Sequence, residues 1–159
     1  MFLEVFLLLK VEYLLCEGPH LDLLSQLVEK SLVIFDTRRE TPRYRLLETV
    51  RQYAKEKLVS SPHSTATSER HLAFFCRLAE EAWPALKTNS QSEWLTRLER
   101  EHDNIRAALE YASRADVCSG ATIAGSLWQF WAVRGYYTEV YRWLTEFQAA
   151  ASTDASVRC

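Results

Sequence analysis

The chain has 159 residues, 48% hydrophobic and 25% charged, with a formal net charge of −2. That make-up fits a globular chain of one domain or two small ones. It excludes any broad electrostatic attraction to nucleic acid or anionic membrane: residues 1–60 carry nine basic and nine acidic side chains, and the remainder is slightly acidic. Glycine and proline are scarce, at four each, against five Trp, seven Tyr and seven Phe, which favours packed helices over turn-rich β architecture. Cys16, Cys76, Cys118 and Cys159 form no CxxC pair and have no clustered histidines, so neither a zinc site nor a disulfide framework is expected. Four free thiols fit a reducing cytoplasm.

In chain order, Met1-Phe2-Leu3-Glu4-Val5-Phe6-Leu7-Leu8-Leu9-Lys10 lacks the basic leader and small-residue cleavage site of a signal peptide. It is too short and too charged to span a bilayer. A buried helix is the better reading, with a mis-set translation start as the alternative. Pro19 precedes a helical pattern, Leu21, Leu24 and Val28 flanked by Leu23 and Leu27. Ser31-Leu32-Val33-Ile34-Phe35 then switches to a β-rich run. After a polar, turn-prone stretch, Arg43-Tyr44-Arg45-Leu46 alternates, putting Tyr44 and Leu46 on one strand face. Helical spacing resumes through Leu47, Val50, Ala54 and Leu58, with Arg51, Lys55 and Glu56 facing water. Helix, hairpin, helix is the order of a winged helix, with the hairpin as wing and the preceding helix in the recognition position.

Residues 60–68 are polar, contain Pro62 and hold no large apolar anchor, so the domain boundary is expected there. Beyond it the pattern is helical throughout. Leu72, Phe75, Ala79, Ala82 and Leu86 make one stripe, with Pro84 near its end. Ser90-Gln91-Ser92-Glu93 reads as a capping box opening a helix striped by Leu95, Leu98, His102, Ile105, Leu109 and Ala112. A third helix is expected over Ala121–Arg134 and ends at Gly135. A fourth runs through Val140, Trp143, Leu144 and Phe147, and the tail from Ser152 frays. The turn Gly135-Tyr136-Tyr137 resembles that of a tetratricopeptide unit.

No Walker A, GxGxxG, GxSxG or HExxH pattern is present, and no nucleophile–base–orienter set, so no catalytic, cofactor or metal residue is assigned. Glu101-His102-Asp103-Asn104 looks metal-binding at first sight. Adjacent helical residues point about 100° apart, so four in a row cannot converge on one ion. A buried histidine, satisfied by neighbouring helices, is the favoured reading of His102. Arg38, Arg39, Arg43 and Arg45 make the wing basic; Arg38, Arg39 and Arg43 are the candidate phosphate or DNA contacts. The competing reading is a solvated hairpin. Asp22 and Glu29 on the presumed recognition helix weigh against DNA. The aromatics Trp128, Phe130, Trp131, Tyr136, Tyr137, Tyr141 and Trp143 line either a core or a groove. Trp128 and Trp143 are read as core, and Trp131, Tyr136 and Tyr137 as the candidate partner face.

Three segments in series then carry a resemblance: Asp22-Leu23-Leu24-Ser25-Gln26-Leu27-Val28-Glu29-Lys30-Ser31-Leu32-Val33, Arg43-Tyr44-Arg45-Leu46-Leu47-Glu48-Thr49-Val50-Arg51-Gln52-Tyr53-Ala54, and Glu101-His102-Asp103-Asn104-Ile105-Arg106-Ala107-Ala108-Leu109. Over roughly residues 11–150 the chain resembles the C-terminal region of bacterial STAND-class signal-transduction ATPases attached to LuxR-type and antibiotic-regulator-type transcription factors. Leu127-Trp128-Gln129-Phe130-Trp131-Ala132-Val133-Arg134-Gly135 is similar to the beginning of that family's repeat domain. The resemblance implies a P-loop module upstream, to which ATP or ADP binding would belong. It also implies a winged helix that locks the off state, and repeats that sense a protein or small-molecule inducer. The expectation is a mainly α chain: a winged helix over 1–60, incomplete at its N-terminus, a linker over 61–68, a TPR-like helical region over 69–151 and a frayed tail over 152–159. Its function would be that of a non-catalytic regulatory module in the cytoplasm, partnering the nucleotide-binding module of the parent regulator, with direct DNA binding through the wing as the alternative.

Overall fold

The computed structural model describes residues 20–36, 43–59 and 64–153, and these are mainly helical. The order is α1 (His20–Glu29), β1 (Val33–Asp36), β2 (Arg43–Leu46), α2 (Glu48–Val59), α3 (Ser64–Ala85), α4 (Gln91–Ala115), α5 (Val117–Arg134) and α6 (Tyr137–Thr153). Two compact units divide the chain, Met1–Thr67 and Ser68–Cys159. The N-terminal segment expected as a buried helix lies outside the described residues, as do Arg38 and Arg39.

In the first unit, α1 ends where Ser31 takes a left-handed φ of 55°. A non-glycine residue there costs about 1–2 kcal/mol. The turn is closed by Ser31 N donating to Val28 O at 2.9 Å and Leu32 N to Leu27 O at 3.0 Å. It reverses the chain so that Val33 packs back over Leu27. The strands pair antiparallel with Val33 opposite Leu46 and Phe35 opposite Tyr44. The expected sharing of a face by Tyr44 and Leu46 holds. Leu27, Val33 and Leu46 form a small buried core, with Val28, Leu32, Tyr44 and Val50 packed around it. On α2, Ala54 is buried and Val50 half-buried. Leu47 departs from the expected stripe: it precedes the first helical residue and lies exposed.

The second unit starts within α3, which begins at Ser64, so the latter half of the expected linker is helical. Nothing after Pro62 forbids helix there, and Thr67, though polar, is small enough to be buried. The stripes Leu72–Leu86 and Leu95–Ala112 are buried at every position read from the sequence, His102 included. Pro84 sits in the last turn of α3. Just past that end, the carbonyl of Leu86 accepts the side-chain amide of Gln91 at 2.8 Å and that of Gln129 at 3.1 Å. The expected capping box does not form: the Ser90 side chain makes no cap hydrogen bond.

Asp116 alone separates α4 from α5. Its backbone N–H caps α4 on Ala112 O, and its carboxylate accepts from Ser119 N at 3.1 Å and Ser119 Oγ at 2.7 Å. That aspartate N-cap starts α5 four residues before the expected Ala121. Gly135, at φ 80°, closes α5, with Tyr136 N donating to Trp131 O at 2.8 Å. Helix α6 continues through Ser152 and Thr153, which were expected to fray; residues 154–159 lie outside the described residues. Cys76 is a free thiol.

Gly120 on α5 faces Phe147 and Ala112, and an added Cβ would overlap the Phe147 ring. Phe147 is buried and stacked on Trp143, so it has no free direction in which to retreat. Gly120→Ala should therefore lose about 1–3 kcal/mol to overpacking, against about 1 kcal/mol of helix-propensity gain. Urea unfolding should show a lower midpoint, partly restored when Phe147→Leu is added.

Candidate functional site

In the first unit, the candidate basic contacts are only partly in view. Arg38 and Arg39 lie outside the described residues, and Arg43 opens β2, where its backbone pairs opposite Asp36. On the paired strands Phe35, 41% exposed, stacks on Tyr44 at 4.6 Å between ring centroids. Tyr53 and Leu47 are exposed as well. Arg51 is committed to Glu48, with bonds of 2.9 and 2.8 Å that hold the Glu48 carboxyl below its ordinary range.

In the second unit, polar side chains converge where α4 meets the α5–α6 turn. Helical spacing puts His102 and Arg106 one turn apart on α4, so both reach the same neighbour. That neighbour is Glu139 in the first turn of α6, whose side chain is 14% exposed. Arg106 grips it with a fork, Nε to Oε1 at 2.9 Å and a terminal nitrogen to Oε2 at 2.6 Å. His102 Nε2 lies 3.2 Å from Glu139 Oε1 and 3.1 Å from the indole Nε1 of the fully buried Trp131. The rings of Phe130 and Tyr136 flank the imidazole at 5.4 and 4.5 Å between centroids. At the margin, Glu99 accepts from the Tyr136 hydroxyl at 2.7 Å and pairs with Arg134 at 3.3 Å.

The charges follow from these contacts. Burial by itself pushes the Glu139 carboxyl up. The Arg106 hydrogen bonds, with His102 and the Arg106 charge, outweigh that and leave it below the ordinary carboxylate range. The buried Trp143 indole adds a weaker pull, short of full hydrogen-bond geometry. The Tyr136 phenol is raised by its bond to Glu99. His102 is thus a buried histidine partnered by neighbouring helices, as its place on the apolar stripe suggested. Among the described residues no group of His, Cys, Asp and Glu could hold a metal ion.

The aromatic assignments need two corrections. Trp131 is fully buried, because its indole turns inward to His102, and it cannot belong to a partner face. Trp128, expected in the core, is 45% exposed on α5. Tyr136 is half-buried against His102, while Tyr137 is 65% exposed. On α6, Tyr137 and Tyr141 (72%), both among the aromatics singled out in the sequence, are exposed with Leu144 at i, i+4 and i+7, and Leu144 thereby departs from the stripe it was expected to share with Val140, Trp143 and Phe147. Val140, Trp143 and Phe147 face the opposite, buried side.

No family model and no solved structure matches the chain. It is similar to proteins named as HTH-type transcriptional regulators in Mycobacterium tuberculosis, strains H37Rv and CDC 1551, and in Mycobacterium bovis. Each is 38% identical over 125 residues, which is 77% of this chain and 14% of the relative. The chain therefore spans about one seventh of the length of these curated relatives. Among the described residues, no helix is long and apolar enough to cross a membrane.

Arg106→Ala should cost about 1.5–3 kcal/mol, the range for hydrogen bonds to a charged group, since it strands Glu139. Arg106 is itself 43% exposed, which sets the lower end of that range as the expectation. The Glu139 carboxyl is depressed in the fold, so its stabilisation is complete above the ordinary carboxylate range. It is lost as pH falls through the lowered value. Glu139→Gln should flatten the acid side of the stability profile, read by urea midpoints between neutral pH and about pH 3. By contrast, Tyr141→Ser with Leu144→Ser should shift the thermal midpoint little, because exposed substitutions usually stay within about 0.5 kcal/mol each.

Proposed function

We propose that this chain is a non-catalytic regulatory segment of a larger bacterial transcriptional regulator of the STAND class. In it the helix–hairpin–helix of residues 20–59 acts as a winged helix, and residues 64–153 as the first helices of a tetratricopeptide-like scaffold. The observation that carries this is the match itself: three quarters of the chain aligns with transcriptional regulators of which it makes up about one seventh. A segment of that size, without a phosphate-cradling loop, is a coupling module in this reading. Its winged helix docks on a nucleotide-binding module, its scaffold receives a protein or small-molecule inducer, and ATP or ADP binding lies with the partner module. The functional quantity is then a coupling free energy between inducer and nucleotide state. The cytoplasm is the compartment such a regulator works in. Support also comes from the polar joint at the α5–α6 turn, which fixes how the scaffold helices leave the core.

A second reading has DNA touched directly by the wing, through Arg38, Arg39 and Arg43. The relatives' naming as HTH-type regulators favours it. The acidic Asp22 and Glu29 on α1 oppose it.

Fluorescence anisotropy of the whole chain on duplex DNA over a salt series separates the two. The module reading expects little binding and no steep salt dependence, together with saturable binding to a purified STAND-class P-loop module that is tighter with ADP than with ATP. Tight, salt-steep DNA binding would replace it by the second reading. In that case Arg38→Ala with Arg39→Ala should reduce the log–log salt slope by about 1.8. Robust ATP turnover by this chain alone would overturn both.

A further inference from the structure

One nitrogen in the second unit has two neighbours that it cannot serve together. His102 Nε2 lies 3.1 Å from Trp131 Nε1 and 3.2 Å from Glu139 Oε1. The indole is a donor only, and the ionised carboxylate an acceptor only. With its lone pair free, Nε2 accepts from the indole and offers the carboxylate nothing. With a proton on it, Nε2 donates to the carboxylate and meets the indole N–H head on.

Arg106 decides which arrangement the neutral ring takes. It already supplies both Glu139 oxygens with hydrogen bonds, so the carboxylate is satisfied without His102. Trp131 is fully buried, and its N–H has this one nitrogen as partner. With the neutral ring's proton on Nδ1, Nε2 is the acceptor that pairs the buried Trp131 N–H.

We propose that His102 is a proton-operated latch at the joint of α4, α5 and α6: a proton taken from solvent onto Nε2 moves the ring's hydrogen bond from Trp131 on α5 to Glu139 on α6. No other bond is made or broken. Three elements set the charges around the ring. Helix α4 contributes Arg106, which opposes a second cation. Asp103 is exposed and paired with Arg106, and Glu101 accepts from Asn104. Helix α6 contributes Glu139, which favours the cation. Arg134 at the end of α5 and Tyr136 in the turn are both engaged by Glu99. Protonation tightens α4 to α6 and leaves the Trp131 donor unpaired in the core. The loosened element is the end of α5, which carries Trp128 and Val133 on its exposed face. The inference is independent of whether the chain belongs to an ATPase regulator.

The test is NMR on the full ¹⁵N-labelled chain, with the indole resonance of Trp131 assigned through Trp131→Phe. At pH 8 the His102 ring should show the Nδ1–H tautomer. On acidification to pH 5, the Trp131 indole proton should move upfield with the same midpoint as the His102 ring. Glu139→Gln should displace both midpoints together to lower pH. An Nε2–H tautomer at pH 8 would overturn the proposal, since the ring would already serve Glu139. So would an indole resonance that stays still while His102 titrates, or a His102 ring that stays neutral down to pH 5. All three readings come from the wild-type chain, so poor folding of a variant does not blunt the test.

Discussion

The fork between Arg106 and Glu139 spans 33 residues of chain and joins the third-last helix to the last. It is a two-pronged ion pair that ties the first turn of α6 to α4. Glu139 lies in the first turn of α6, where a negative charge also suits the helix dipole. With that end fixed, the helical period does the rest. Val140, Trp143 and Phe147 turn toward α4 and α5, while Tyr137, Tyr141 and Leu144 turn away. Gly120 completes the arrangement by leaving room on α5 for the Phe147 ring of α6.

Much of this was legible in the residues. Period and burial agree wherever a helix has one dominant apolar stripe, as in Leu95 to Ala112, and the hairpin register follows from the alternation at Tyr44 and Leu46. What escaped was set by tertiary partners. Ser90 sits where a cap belongs but makes no cap bond, while Gln91 reaches back to Leu86. Asp116 ends one helix and begins the next, so the start of α5 was set by a single side-chain cap and not by the apolar pattern. Trp131 and Trp128 are equally large and three residues apart, yet opposite in exposure; only the position of His102 and Phe130 distinguishes them. His102 itself was recognisable as a stripe residue, but its dependence on Arg106 and Glu139 needed the fold to bring α6 back across α4.

The two units contribute differently to the regulator reading. Among the described residues, the first has Leu27, Val33 and Leu46 buried beneath a short hairpin, with Phe35 and Tyr53 at its surface. The second has a continuous core shared by four helices and a polar joint that is mostly shielded from water.

The Leu86 carbonyl implies an order of assembly. One of its two amide donors, Gln91, lies five residues away; the other, Gln129, lies 43 residues away. Closing the short loop takes little chain entropy, so the corner between α3 and α4 can form as soon as those helices do. The Gln129 bond has to wait until α5 has folded back. Its formation marks the step at which a two-helix hairpin becomes a three-helix core.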